Sequence, residues 1–420
     1  MGRVLLVTQY FYPENFKSND IAFELVKRGY KVMVLTGIPN YPKGAFFEGY
    51  GLFRKRIQRI NGVKVIRASL FPRGNGGKKK LALNYFSWSL FASIFAFFMS
   101  IFCKFECIIV HQTSPVIQGL PAVIVKKIQR IPIYFWVLDL WPESLSAAGN
   151  INNKKILSFF TKTTKFLYNN SDKILISSRS FKKSIIEMGN YNDKIIYFPN
   201  WAEDVFYSKD EFDNELPQLS LLPEDFTVMF AGNIGEAQDF ENVMRCALML
   251  KEYKTIKFII IGDGRKKAWL DKFILDNSLS ETVFCLGRFP LHTMPSFFKK
   301  ADVMLLSLKN EIIFNLTVPA KLQAYMAMGK PVIAMINGEG NDIINESNCG
   351  IAVNAGDFEL LANSLLKLKR LPYDELKKMG DNGNLYCKKY FDKKENIDKL
   401  CSIMKNMIYD SLLSDKKVRG

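Results

Sequence analysis

Short apolar runs alternate with stretches of helical periodicity along the whole chain. This alternation predicts parallel, doubly wound α/β sheets. In the first half it predicts strands over residues 3–8, 31–36, 64–68, 107–111, 133–138, 173–177 and 195–198. An acidic stretch through Pro217 and Pro223 then predicts a linker. The alternation restarts with strands over residues 226–231, 256–261, 283–286, 302–306, 332–336 and 350–353.

Two series of strands in tandem predict two Rossmann-like domains, over residues 1–200 and 201–390, that face each other across a cleft. Parallel sheets bind ligands beyond the carboxyl ends of their strands. We therefore expect the functional residues in the loops that follow the strands. A helix over residues 391–420 completes the chain, with the first domain as its expected packing partner.

The segment over residues 81–103 is uncharged, rich in phenylalanine and preceded by Lys78, Lys79 and Lys80. Its length is enough to cross a bilayer. A single crossing would, however, place the predicted strands before and after it on opposite sides of the membrane. We therefore predict a helix that lies in the membrane interface or dips into one leaflet, held by the lysines. A buried core helix is the alternative.

The excess of positive over negative charge is confined to the first half of the chain. Residues 1–200 hold 29 Lys and Arg against 10 Asp and Glu, whereas residues 201–420 hold 29 against 31. This asymmetry predicts an acidic partner for the first half, such as an anionic membrane, a phosphorylated substrate or nucleic acid. The basic residues are dispersed and match no nucleic-acid-binding motif, so we expect no nucleic acid.

The seven cysteines are scattered and lack the companion ligands of a zinc site, so we expect no metal and a reducing, cytoplasmic compartment. The chain begins directly with a predicted strand, and we expect no signal peptide.

Glycine-rich and basic loops follow successive strands of the second half. Their notable residues are Gly232, Asn233, Gly235 and Gln238, then Gly262, Gly264 and Arg265, then Gly287 and Arg288. A fourth loop leads through Pro319 into a short helix with Lys321 in its first turn, where the helix dipole disfavours a cation unless an anion is bound. Ordinary tight turns and a solvated lysine are the alternatives. Together, these loops predict a cradle for a diphosphate.

Acidic and aromatic residues follow strands of the first half. Asp139 and Glu143 flank Trp141 after a strongly apolar strand, and such a pair can act in acid–base catalysis or bind hydroxyl groups. An Asx turn and a helix-terminal glutamate are the alternative. Glu14 in the loop after the first strand and His111 at the end of another are further candidates on this side, although His111 is equally compatible with a structural role.

The chain resembles glycosyltransferase family 4, whose members are retaining enzymes of the GT-B fold. It is most similar to the branch that builds bacterial surface polysaccharides, including N-acetylfucosamine transferases. The resemblance covers nearly the whole chain and is carried by Tyr12-Pro-Glu14, Asp139-Leu-Trp-Pro-Glu-Ser144, Pro199-Asn200, Gly232-Asn-Ile-Gly-Glu-Ala-Gln238, Gly262-Asp-Gly264, Gly287-Arg288, and Val318-Pro-Ala-Lys321 through Gly329-Lys-Pro331.

Three departures from the family pattern affect the expected site, and one of them is Leu138, which stands where the family has a histidine before the aspartate. The family's Glu-x7-Glu pair falls on Asn315 and Gln323, which can hydrogen-bond sugar or ribose hydroxyls but carry no charge. The arginine and lysine that grip the diphosphate in many relatives fall on Asn233 and Gln238.

The resemblance implies metal-independent transfer of a hexose derivative from a nucleoside diphosphate, with UDP the commoner carrier. Arg265 and Lys321 are then expected to grip the diphosphate, with Lys321, Asp139 and Glu143 as catalytic candidates. Glu14, His111 and Trp141 are expected on the acceptor side. The basic, apolar first half suits a polyprenyl-diphosphate-linked acceptor in O-antigen or capsule biosynthesis at the cytoplasmic face of the inner membrane. A nucleotide-sugar 2-epimerase and a basic nucleic-acid-binding protein are the competing interpretations.

Overall fold

The computed structural model describes residues 2–145, 151, 153–207, 219, 222–223 and 225–419, with the side chains of 408–419 excepted. Its contacts divide the chain into two compact units. Unit 1 comprises Met1–Pro199 with Lys394–Gly420, and unit 2 comprises Asn200–Lys393. Most of the predicted linker, including Pro217, lies outside the described residues.

Unit 1 is built on an eight-stranded sheet with the order β3-β4-β2-β1-β5-β6-β7-β8. Its strands are β1 (Arg3–Val7), β2 (Lys31–Gly37), β3 (Ile57–Ile60), β4 (Val63–Ala68), β5 (Cys107–Gln112), β6 (Ile133–Val137), β7 (Lys173–Ile176) and β8 (Ile195–Tyr197). The helices of this unit that are described in full before its C-terminal helix include α1 (Lys17–Lys27), α2 (Lys78–Phe102), α3 (Leu120–Gln129), α4 (Lys154–Asn170) and α5 (Phe181–Met188).

Unit 2 is built on a six-stranded parallel sheet with the order β11-β10-β9-β12-β13-β14. Its strands are β9 (Phe226–Ala231), β10 (Ile256–Ile261), β11 (Val283–Gly287), β12 (Val303–Ser307), β13 (Val332–Met335) and β14 (Gly350–Val353). The helices that follow are α6 (Phe240–Met249), α7 (Lys267–Asp276), α8 (Met294–Lys300), α9 (Ile312–Leu316), α10 (Ala320–Ala327), α11 (Glu339–Ser347), α12 (Phe358–Lys369) and α13 (Tyr373–Tyr390).

Both sheets contain the Rossmann strand order, in which the chain moves outward in one direction and then returns to continue in the other. The predicted α/β class and doubly wound sheets are therefore confirmed, and every predicted strand is present with its ends within one residue. Strand β3 was not predicted. It pairs antiparallel with β4 at the sheet edge, and its sequence Ile-Gln-Arg-Ile carries too little apolar character to stand out.

The last helix, α14 (Lys393–Arg419), packs on unit 1. Arg28 donates to Asp398 at 2.6 Å, and Lys399 donates to the carbonyl oxygen of Tyr197 at 2.8 Å. The Cys107 thiol lies 3.7 Å from the sulfur of Met404, beneath the central sheet. These contacts attach the C-terminal helix to unit 1.

Helix α2 turns small and polar side chains toward the protein. Its buried residues are Asn84, Ser87, Trp88, Ser89, Ala92, Ala96, Met99 and Ser100. Asn84 accepts from Gln9 at 2.8 Å and donates to the carbonyl oxygen of Phe71 at 2.6 Å. The uncharged segment is thus anchored to unit 1 by hydrogen bonds and close packing of small residues.

The opposite face of α2 is apolar and exposed. Its exposed side chains are Leu83, Phe86, Leu90, Ile94, Phe97, Phe98, Ile101 and Phe102. Only 39% of the most apolar stretch of this helix is buried, although the helix is long enough to cross a membrane. A core helix would show the reverse distribution, with its large apolar residues inside. The buried-helix alternative is therefore not supported.

We predict that Asn84→Ala destabilises unit 1, because it leaves the buried side chain of Gln9 and the carbonyl of Phe71 without a partner. The free energy of unfolding should fall by about 1–3 kcal/mol in urea titrations. Ser93→Ala, on the same helix at a partly exposed position, is the matched control and should change it little. Equal stability of the two variants would contradict this role for Asn84.

Candidate functional site

Three glycine loops meet at the carboxyl edge of the sheet in unit 2. Gly232 donates its N–H to the carbonyl oxygen of Ile261 at 2.8 Å, and Gly262 donates to that of Gly287 at 2.8 Å. A Cβ atom on Gly262 would lie 1.8 Å from the carbonyl oxygen of Gly232, and one on Gly264 would lie 2.2 Å from that of Ile234. The loops therefore pack backbone against backbone, and Gly262 also has a φ of +150° that disfavours any side chain.

Lys321 lies directly beneath the first of these loops. Helix α10 begins at Ala320 with Pro319 in extended conformation before it. A Cβ atom on Gly232 would approach the Lys321 Cε within 2.4 Å, and the ammonium group lies 4.0 Å from the centroid of the Phe230 ring. No carboxylate in the described part of the chain pairs with this ammonium group. Burial consequently lowers the pKa of Lys321 to about 7.

The remaining predicted donor residues separate into exposed and structural groups. Asn233, Arg265 and Arg288 are exposed on the loops that follow β9, β10 and β11. Gln238 instead braces its own loop, because its side-chain oxygen accepts the Gly235 N–H at 3.1 Å.

Asn315 and Gln323, which were expected to contact sugar or ribose hydroxyls, both have hydrogen-bond partners within unit 2. Gln323 is 1% exposed, and its amide donates to the carbonyl oxygen of Asn200 at 2.6 Å. Gln323 therefore lies inside unit 2, and the expectation that it contacts a sugar or ribose is not supported. Asn315 is partly exposed and donates to the side chain of Asn310 at 2.9 Å.

Sequence reasoning missed one acidic residue at this edge, Glu339. It begins α11 directly after the β13 loop and is 2% exposed. The preceding Gly338 packs so closely that a Cβ atom there would lie 2.0 Å from the carbonyl oxygen of Asn315. The sequence signal for this residue is Gly-Glu-Gly at positions 338–340, in the segment that follows β13.

Asp139 is the centre of a hydrogen-bonded cluster at the carboxyl edge of unit 1. Its carboxylate accepts hydrogen bonds from the hydroxyls of Ser114 and Ser144. It also accepts one from the Trp141 indole at 3.2 Å. Three donors from two loops thus fix the orientation of this carboxylate.

Glu143 lies in the same loop but has a different environment. Its Oε2 atom is buried and makes no hydrogen bond within the described residues. Burial raises the pKa of Glu143, with Glu187 and Asp139 adding to the rise. A carboxyl group whose pKa is raised by burial can hold a proton and act as a general acid.

His111 and Glu14 are more enclosed than predicted. His111 is 1% exposed, its Nδ1 atom lies 3.2 Å from the Thr8 hydroxyl, and burial lowers its pKa to about 3. We correct its assignment from the acceptor side to the core. Glu14 is 3% exposed and accepts the N–H groups of Asn40 and Tyr41 at 2.8 and 2.7 Å, so it orders a loop rather than lining an open surface.

A cage of tyrosines surrounds the guanidinium group of Arg73. The guanidinium lies 5.7, 4.9 and 5.8 Å from the ring centroids of Tyr10, Tyr41 and Tyr85, and it donates to the Tyr10 hydroxyl at 2.6 Å. Burial raises the pKa of Tyr85, and the Asp139 carboxylate adds to the rise. This arrangement was not visible in the sequence, because the four residues come from separate segments.

An apolar pocket of about 580 Å³ opens beside this cluster, entirely within unit 1. Its walls come from α2, α4 and the Asp139 loop, and include Tyr85, Phe86, Trp141, Ser144, Ile156 and Phe159. No group of three or more potential metal ligands occurs among the described residues.

Sequence comparison relates the chain to glycosyltransferases. Residues 225–370 match the family of group 1 glycosyl transferases. WcaI of Escherichia coli K12, named for glycosyl transfer in colanic acid biosynthesis, is 27% identical over 315 residues, which cover 73% of this chain and 75% of the relative. WbjE of Pseudomonas aeruginosa, also named as a glycosyltransferase, is 28% identical over 252 residues, or 57% of this chain and 61% of the relative.

Structural comparison identifies the fold. The crystal structure of Anabaena HepE in complex with UDP aligns with a TM-score of 0.72 and 13% identity. The alignment covers 97% of this chain and 100% of that chain. The chain is a GT-B glycosyltransferase. The matched segment spans β9 to the end of α12, and therefore contains the glycine loops and Lys321.

We predict that Lys321 of this glycosyltransferase titrates near neutrality. In carbon-13 NMR with labelled lysine, one Cε resonance should titrate with a pKa of about 7 and be absent in Lys321→Met. Inorganic pyrophosphate should raise that pKa, because a bound anion favours the charged ammonium. A Lys321 pKa near 10, typical of a solvated lysine, or insensitivity to pyrophosphate, would contradict the proposed environment.

Proposed function

We propose that this enzyme transfers a sugar, an N-acetylated or deoxy hexosamine, from a nucleoside diphosphate to a polyprenyl-diphosphate-linked acceptor with retention of configuration. UDP is the expected carrier, and no metal is expected to take part. The reaction would occur at the cytoplasmic face of the bacterial inner membrane during assembly of O-antigen or capsule.

The proposal rests chiefly on Lys321, a half-buried lysine that lies beneath a cradle of glycine loops and pairs with no carboxylate among the described residues. A diphosphate placed there would supply the missing negative charge. Binding would also draw on backbone amides and the exposed Arg265 and Arg288. The UDP bound to HepE, a protein of the same fold, supports this choice of ligand.

Catalysis would follow from charge stabilisation at the leaving group. As the bond between sugar and diphosphate breaks, negative charge grows on the departing oxygen. A protonated Lys321 and fixed amide dipoles would stabilise that charge more than the ground state, which lowers the barrier. No metal is needed for this step.

Asp139 would orient the acceptor hydroxyl and take up its proton. Its position on unit 1, with two serine hydroxyls and an indole holding it, supports such a role. Burial raises the pKa of Glu143 above that of a solvated glutamate. Protonation or ionisation of Glu143 would therefore change the charge of the loop that carries Asp139.

Membrane attachment is proposed from the exposed apolar face of α2, flanked by Lys78, Lys79 and Lys80. Large apolar side chains on one face of a helix, next to basic residues, are typical of proteins that lie in the interface of anionic membranes. The name of WcaI, which refers to colanic acid biosynthesis, supports a role in polysaccharide assembly.

We predict that Asp139→Asn lowers turnover by roughly 10²-fold or more, the range for loss of a general base. Transfer of labelled sugar from UDP-hexosamines to a lipid-linked saccharide measures turnover, and calorimetry with UDP should show unchanged donor binding. Asp193→Asn, on the same unit but away from the cluster, is the control and should leave turnover unaltered.

The same assay separates the alternatives. An isomerised nucleotide sugar without any transfer would favour the 2-epimerase interpretation and overturn the proposal. Loss of UDP affinity in Asp139→Asn equal to the loss of turnover would move Asp139 to the donor site.

We predict that the purified protein binds vesicles containing phosphatidylglycerol. Replacing Lys78, Lys79 and Lys80 by glutamate should release it at moderate salt, because each basic group near the surface contributes about 1 kcal/mol. Replacing Leu90, Ile94 and Phe97 by serine should weaken binding at low salt as well, since apolar burial is lost. Flotation assays measure both effects, and failure of the unaltered protein to bind vesicles would refute the membrane proposal.

A further inference from the structure

The pocket in unit 1 combines an apolar interior with cationic groups, as expected of a site for an amphiphile. Its interior is formed by side chains such as Leu81, Phe86, Ile156 and Phe159, whereas Lys78 and Lys155 contribute cationic groups. A volume of about 580 Å³ is in the range of pockets that enclose small-molecule ligands. A purely polar saccharide would leave the apolar side chains of the interior without apolar contacts.

A third cation lies next to this wall. Tyr85 lines the pocket and also forms part of the cage around Arg73. The rings of Tyr10 and Tyr41 hold the guanidinium in place from other sides. Such pre-organisation reduces the entropy that an arginine loses when it binds an anion. Arginine is also suited to phosphate oxygens, because its planar fork donates two parallel hydrogen bonds.

The apolar pocket is continuous with the surface assigned to the membrane. Phe86 lines the pocket and is 47% exposed on the outward face of α2. Phe159 on α4 lines it as well and is 50% exposed. A chain in the outer part of a leaflet could therefore enter the pocket sideways without crossing water.

The polar end of the pocket reaches the proposed catalytic carboxylate. Ser114, Trp141 and Ser144 all line the pocket, and all three donate to Asp139. The residues that orient Asp139 thus form part of the wall that an amphiphile would contact. Tyr85 interacts electrostatically with both Arg73 and Asp139, so an anionic head group at Arg73 would lie on the same side of the pocket as Asp139.

We propose that this pocket binds the isoprenoid units next to the diphosphate of the lipid-linked acceptor, and that Arg73 binds that diphosphate. The inference rests on the proposed function and deepens it, because it assigns the acceptor's lipid part to named residues. It makes the isoprenoid chain a recognised part of the substrate, and not merely its membrane anchor. The diphosphate would fix the position of the attached sugar relative to Asp139.

The experiment measures binding of farnesyl diphosphate to the full-length protein by calorimetry, without donor or saccharide. Saturable binding is expected. Ala82→Trp, which places a large side chain in the pocket wall, should weaken it roughly ten-fold, the scale of an overpacked site. Leu83→Trp, one position along α2 on the exposed face and not in the pocket wall, is the matched control and should leave affinity unchanged.

The head-group assignment is tested in the same way. Arg73→Gln should weaken farnesyl diphosphate binding roughly ten-fold or more, as expected for losing one partner of a charge pair, whereas the exposed Lys79→Gln should change it little. Circular dichroism and UDP affinity report whether each variant remains folded. Pyrophosphate alone should bind much more weakly than farnesyl diphosphate, because it cannot fill the apolar interior.

Three results would overturn the inference. They are absence of farnesyl diphosphate binding, equal affinity of Ala82→Trp and Leu83→Trp, and equally strong competition by phosphatidylglycerol, which would make the pocket a general lipid site. Each of these leaves sugar transfer intact and so does not touch the proposed function. Conversely, the expected binding pattern without transfer from any nucleotide sugar would refute the proposed function while the isoprenoid pocket stands.

Discussion

The close approach of the glycine loops in unit 2 determines the environment of Lys321 at the carboxyl edge of the sheet. Only residues without a side chain allow the backbone of Gly262 to contact that of Gly232, and this contact covers Lys321. A lysine in such a place has lost much of its hydration and has gained no carboxylate in the described part of the chain. Its pKa falls to about 7 as a result. The protein thus keeps a cation whose preferred partner is an anion from outside.

In unit 1, helix α2 has large apolar side chains on its exposed face and small or polar side chains on most of its buried face. Hydrogen bonds from Asn84 and close packing of alanines and serines attach the helix to the sheet. Its large apolar residues are then free to face a membrane. The same helix supplies one wall of the apolar pocket, so that attachment to lipid and recognition of lipid would share one element.

The strands could be predicted almost completely from the sequence, whereas the environments of the site residues could not. Parallel strands buried on both faces are continuous apolar runs and are visible without a structure. An edge strand such as β3, with one exposed face and a charged residue, is not. Position at a strand end also does not determine whether a polar side chain reaches the surface. His111 and Gln323 were both expected at an open edge, and both are buried.

The position of Lys321 could be predicted from the sequence, but its lowered pKa could not. Its place in the first turn of α10 indicated an anion-binding role, but the lowered pKa depends on the Gly232 loop, which is distant in sequence. The Arg73 cage was equally hidden, since its tyrosines come from three different segments. Such environments arise only when the sheet brings separate loops together.

The central claim is that Lys321 binds the diphosphate of the donor as a protonated lysine, and proton uptake tests it directly. Titration of UDP at pH 8, in two buffers with different ionisation enthalpies, measures the protons taken up on binding. A lysine with a pKa of about 7 is mostly neutral at that pH and should take up about 0.9 proton when the diphosphate binds, whereas Lys321→Met should take up none. Binding of UDP without proton uptake by the unaltered enzyme would contradict the account.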